Sequence, residues 1–161
     1  MSVAAIAASL ALSLFEKVLE IARHRSEFHG DAARFEQWIA AARELSEKLA
    51  RCAEEDAAAY QEYMARRKSP EEAAALRKAI EVPLEAARAA AAGVRICAEA
   101  AASVPASIAP DLGTAGLLLA AAVRGITLSI ESNVQHLADE KFADEVRREV
   151  RELVVAAGSR V

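Results

Sequence analysis

Five polar side chains stand in or beside apolar patterns that leave little room for them. Phe35, Trp38, Ala42, Leu45, Leu49, Cys52, Asp56, Ala59 and Tyr63 recur at alternating steps of three and four, the stripe of a helix seam. Asp56 interrupts that stripe with a carboxylate. Burying an unpaired charge costs several kcal/mol, so Asp56 must be paired, reach solvent at the seam's edge, or do chemistry. Arg124 is the one charge between Leu112 and Ile130. A guanidinium buried there needs an anion, from the protein or from a ligand, unless it snorkels to the surface. Asp111 precedes the same apolar run and reads as its N-cap, a position that also gathers ligands. Asn133 and His136 stand near the far end, where a histidine ordinarily complements the helix dipole. Such carboxylates suit proton transfer, and an amide suits orienting a substrate. No nucleophile triad, phosphate loop or metal-ligand spacing accompanies them.

These residues need elements to hold them, and composition says which kind. The chain has 161 residues, 54% hydrophobic and 27% charged, with 4% aromatic. About a quarter is alanine, well above ordinary usage. Small side chains let helices approach closely and make many weak contacts. The sequence therefore predicts an all-α antiparallel bundle of five to six helices forming one domain over residues 1–161, with a core that a partner subunit would complete. No strand pattern competes. The net charge of −4 argues against nucleic-acid binding, although Arg23-His24-Arg25 and Arg66-Arg67-Lys68 form local basic clusters. Cys52 and Cys97 are too few for a structural zinc site and read as reduced core residues of a cytoplasmic protein.

Along the chain, a first helix spans about Val3 to Phe28 and is expected to be buried on most sides in its first half. A stop and a restart follow at His29-Gly30-Asp31. The second helix runs from about Asp31 to Arg67. Ser69-Pro70-Glu71-Glu72 then reads as a capping box opening a third. Pro83 is expected to interrupt or kink that helix. A seam of Leu84, Ala87, Ala91, Val94, Ala98 and Ala101 leads to a loop before Pro110. The opening run after Met1 lacks the positive residues of a signal peptide, and neither apolar run offers about 20 clean residues for a bilayer span. A last helix starts at Asp139, with Phe142, Val146, Val150, Leu153 and Ala157 facing inward.

Four stretches, in order, carry a family likeness. They are SVAAIAASLALSL (Ser2 to Leu14), EEDAAAYQEYM (Glu54 to Met64), AIEVPLEAA (Ala79 to Ala87) and PDLGTAGLLLAAAVRGITLSIESNV (Pro110 to Val134). Together they resemble the cyclodeaminase/cyclohydrolase family, which includes the C-terminal domain of formiminotransferase-cyclodeaminase and methenyltetrahydrofolate cyclohydrolases. The family's glycine-rich loop would precede Val3, where this sequence has Met1-Ser2. Pro110 and Ser129 replace a serine and an asparagine of its pattern, while Asn133 is kept. The resemblance implies a one-carbon tetrahydrofolate derivative as substrate, with chemistry at the carbon bridging N5 and N10 and with neither metal nor cofactor. It implies catalytic roles for Asp56, Asp111 and Asn133, and substrate contacts for Ser2, Tyr60 and Arg124. It also implies a homodimer, while the acidic charge and the short apolar runs noted above lead us to expect no nucleic-acid partner and no membrane. The alternatives are a catalytically impaired homologue that binds folate or a protein partner, and a helical scaffold in which Asp56 and Arg124 are both exposed.

Overall fold

The computed structural model describes residues 1–25 and 31–159. Among them are five α-helices and a 3-10 turn at Ala101–Ser103, and no strand. The helices are α1 (Ser2–Arg23), α2 (Ala32–Arg66), α3 (Glu72–Ala100), α4 (Ala109–Val134) and α5 (Glu140–Gly158). Each of the first four packs on the next, and α1 packs on α4 to close the ring. α5 lies over α3 and α4. Cross-links between helices fix the antiparallel sense. Ser9 and Ser46 hydroxyls meet at 2.7 Å between α1 and α2, and Lys78 pairs with Glu62 at 3.0 Å between α3 and α2.

The helix signals act largely where the sequence places them. Asp31 caps α2 by accepting from the backbone N–H of Ala33 and Arg34, and Asp139 caps α5 by accepting from Phe142. The predicted end of the first helix at Phe28 and the stop at His29-Gly30 lie outside the described residues, and the described helix runs to Arg23. The Ser69 box is displaced by two residues. The Ser69 hydroxyl accepts from Glu71 N–H, Glu72 accepts from Lys68 N–H, and α3 begins at Glu72. Lys68, at φ 63°, takes the left-handed backbone that turns the chain there.

Three expectations change. α3 runs through Pro83 without interruption. Its seam is broader than the six residues read from sequence, because α2, α4 and α5 all press on it. Ile80, Ala86, Ala90, Ile96 and Cys97 are buried, whereas Ala101 is exposed. Third, the first half of α1 is buried on one side only. Ala5, Ala8 and Leu12 face inward, while Val3, Ile6 and Leu10 are 82%, 51% and 66% exposed. By length and composition α1 and α4 would each suffice to cross a membrane, contrary to the count of clean apolar residues. Their inner faces are nonetheless core. Ala5, Ala8, Phe15, Leu119, Val123 and Ile126 are fully buried.

Small residues set the helix spacing. A Cβ built on Gly93 would stand 3.0 Å from a Leu119 methyl and 3.1 Å from a Leu12 methyl. One on Gly125 would stand 3.3 Å from Ala4 Cβ. Both cysteines are free and buried, and burial alone pushes the Cys97 thiol up to about 12, which leaves it unreactive. Gly93→Val should lower stability by about 1–3 kcal/mol through overpacking. Gly113→Ala, with open space around the new methyl, should raise it by up to about 1 kcal/mol. Urea unfolding midpoints of the two variants on opposite sides of the parent would bear this out.

Candidate active site

The antiparallel order brings the starts of α1 and α3 to the same end of the bundle as the last turns of α2 and α4. A cleft of about 540 Å³ opens there, lined by Met1, Ser2, Asp56, Tyr60, Ala79, Ser129, Ser132 and Asn133 among others. Asp56 is its one carboxylate. It lies at the edge of the α2 seam with its side chain 18% exposed, so it is partly shielded but not dry. Three donors from the start of α1 converge on Oδ2. The Ser2 hydroxyl donates at 2.8 Å, the Ser2 backbone N–H at 3.1 Å, and the Met1 amino nitrogen lies at 3.4 Å. Unpartnered N–H groups and the positive end of the helix dipole draw a carboxylate to such a place. Asp56 thus caps α1 from another helix. Its Oδ1 accepts nothing from the described residues and remains available to the cleft.

Across the cleft, Asn133 is held by backbone. Its Nδ2 donates to the carbonyl oxygen of Ala79 at 2.9 Å. A carbonyl only accepts, so this bond fixes which way the amide faces and leaves Oδ1 as an acceptor. Tyr60, one turn beyond Asp56, is 52% exposed and presents a ring at the rim. Ser129, Ser132 and Asn133 form a polar stripe on one face of α4 at spacings of three and four. Sequence reading missed the two serines as site residues. The stripe's break in an otherwise apolar helix was the signal.

The structure therefore brings together Ser2, Asp56, Tyr60 and Asn133. It does not bring Asp111 or Arg124 to them. Asp111 is not the N-cap of α4. That position falls to Ile108, and Asp111 sits exposed in the first turn, ~33 Å along the helix from Asn133. The chain enters α4 through Pro105, whose carbonyl accepts from Ile108 and Ala109, so the helix starts before the aspartate. Arg124 is exposed rather than buried, and no carboxylate among the described residues pairs with it. It lies beside Gly158 at the end of α5, so it escapes to solvent instead of demanding an anion inside. The scaffold alternative needs both Asp56 and Arg124 exposed, and Asp56 is not.

The cap on α1 has a measurable weight. Ser2→Ala should cost about 1 kcal/mol, and Asp56→Ala, which releases every donor at once, about 2–3 kcal/mol. Thermal and urea unfolding with equal losses for the two variants would contradict this order.

Comparison with known proteins now bears on the site. Residues 2–152 match the family model described as formiminotransferase-cyclodeaminase. A search of curated proteins finds no match. Among solved structures, formiminotetrahydrofolate cyclodeaminase from Thermotoga maritima superposes with a TM-score of 0.93. It is 22% identical, over 98% of this chain and 81% of that one. The likeness extends to the all-helical fold described above, and the family match spans every described residue of the cleft except Met1. The chain belongs to the formiminotransferase-cyclodeaminase family.

Proposed function

We propose that the protein acts on a one-carbon tetrahydrofolate at the carbon bridging N5 and N10, as a formiminotetrahydrofolate cyclodeaminase or a methenyltetrahydrofolate cyclohydrolase. The observation that carries this reading is the pairing, across one cleft of a family member, of a carboxylate with a free Oδ1 and an amide with a fixed acceptor. In the cyclodeaminase direction N10 attacks the formimino carbon and gives a tetrahedral centre. A proton leaves N10, one reaches the amine, the carbon–amine bond breaks, and ammonia and the methenyl compound are released. In the cyclohydrolase direction water adds to the methenyl carbon and loses a proton. The bond to N5 then breaks, N5 is protonated, and the 10-formyl compound forms.

Both routes transfer a proton between two heteroatoms on one carbon, the task of a single positioned base and acid. Asp56 fills that role through Oδ1, while Ser2 and the start of α1 hold Oδ2. Asn133 Oδ1 accepts from an N–H of the bound folate. Tyr60 offers a face for the flat rings of the substrate. The anionic glutamate tail is drawn to Arg66, Arg67 and Lys68, exposed at the same end of the bundle. Asp111 and Arg124 have no part in this scheme within one chain.

The proposed homodimer uses the outer face of α1 and α4. Val3, Ile6, Leu10, Leu118 and Leu128 are exposed there, and a groove between the two helices shares Met1, Ser2 and Ser129 with the cleft. Contiguous exposed apolar side chains of this kind mark an association surface. Sedimentation should give a dimer for the parent and a monomer for Leu10→Glu with Leu118→Glu. A parent that sediments as a monomer would remove this part of the proposal.

Absorbance of 5,10-methenyltetrahydrofolate tests the activity. Formation from the 5-formimino compound above the uncatalysed rate identifies a cyclodeaminase, and accelerated loss identifies a cyclohydrolase. Asp56→Asn should lower kcat by about a hundredfold or more. Binding of both folates without turnover would favour the catalytically impaired alternative, and neither binding nor turnover would end the folate reading.

A further inference from the structure

Pro83 stands in the middle of α3, far from both ends of a 29-residue helix, where proline is strongly disfavoured. Its ring nitrogen carries no hydrogen, so the carbonyl four residues earlier loses its normal helical donor. That carbonyl belongs to Ala79. It is the same oxygen that accepts from Asn133 Nδ2 at 2.9 Å, and Ala79 itself lines the cleft. Two helices meet at this bond, α3 supplying the freed acceptor and α4 the donor. The proline ring also crowds the Ala79 carbonyl, which favours its leaning out of the helix wall.

The geometry points to Pro83 as a positioning residue for the site. By vacating the Ala79 carbonyl it supplies the anchor that turns the Asn133 amide and presents Oδ1 to the ligand. Pro83 itself does not line the cleft and is buried. It acts only through Ala79 and Asn133. The role in turnover rests on the folate reading above, whereas the orientation of the amide does not.

Two measurements separate the parts. Pro83→Ala restores an N–H that competes for the Ala79 oxygen while improving helix propensity, so a merely structural proline predicts a variant at least as stable and fully active. Pro83→Ser, which also restores the N–H, is the second probe if the first misfolds. Nitrogen-15 spectra of the Asn133 side-chain amide should show slowed hydrogen exchange in the parent and faster exchange in both variants. In the methenyl assay kcat should fall roughly tenfold with KM little changed, as expected for a displaced orienting group. In an Asn133→Ala background the same Pro83 change should cost nothing further, because the group it acts through is gone. Unchanged amide exchange in the folded variants would overturn the proposal, and so would a kcat loss that persists in the Asn133→Ala background. Parent protein with a protected amide but no turnover would instead defeat the turnover role, and with no folate binding the folate reading as well, while the exchange rates of parent and variants still decide the orientation of Asn133.

Discussion

Close approach of small side chains is the constraint on which the molecule depends. A core in which Ala5, Ala8, Ala11, Ala87, Ala90 and Ala115 are essentially inaccessible gains little from each residue. It gains through proximity, since backbones brought near one another make many dispersion contacts. Gly93, with leucine methyls at 3.0 and 3.1 Å from where its Cβ would be, marks how far this goes. Rigid, closely spaced helices then hold the bundle end in register. Ser2 can meet Asp56, and Asn133 can meet Ala79, only because the helix axes leave no slack between them.

The cleft reuses groups that helix architecture leaves unsatisfied. The start of α1 has free N–H groups, and Asp56 takes them. The middle of α3 has a carbonyl deprived of its donor, and Asn133 takes that. Asp56 and Asn133 thus each spend one face on a backbone defect and keep the other for the cleft. This arrangement reconciles stability with function, since removing either side chain leaves a backbone group unpaired and also empties a role in the site.

Much of this was legible in the sequence, and the rest was hidden for specific reasons. The α2 seam was largely correct, with Phe35, Trp38, Ala42, Leu49, Cys52, Ala59 and Tyr63 all buried and Leu45 and Asp56 intermediate. The caps at Asp31 and Asp139 were legible because capping is local chemistry. Asp111 deceived because the same chemistry one turn further in has no cap to make, and only the path of the chain through Pro105 decides where α4 begins. Arg124 deceived because apolar neighbours along a helix do not reveal which face is covered. The outer face of α4 is open, so the guanidinium reaches water. The bond from Asn133 to Ala79 joins residues 54 apart in sequence, and no local pattern announces it. Pro83 was visible, but as a break rather than as the source of an acceptor.

The charges are distributed with a consequence of their own. Ion pairs link α1 to α2, α2 to α3, and α3 to α5, as in Arg43 with Glu20, Lys48 with Glu85, and Arg88 with Glu149. Among the described residues none links α1 to α4, where the outer surface is apolar. One side of the molecule is therefore held partly by screened forces and the other presents an unscreened one. Added salt weakens exposed ion pairs, while strongly hydrated anions such as sulfate strengthen apolar burial. Ionic composition consequently pulls the two sides in opposite directions. Ammonium sulfate should loosen the electrostatic seams along α2 and α5 while it drives the α1–α4 face to seek cover, so the solubility of this protein and the tightness of its fold need not follow the same salt dependence.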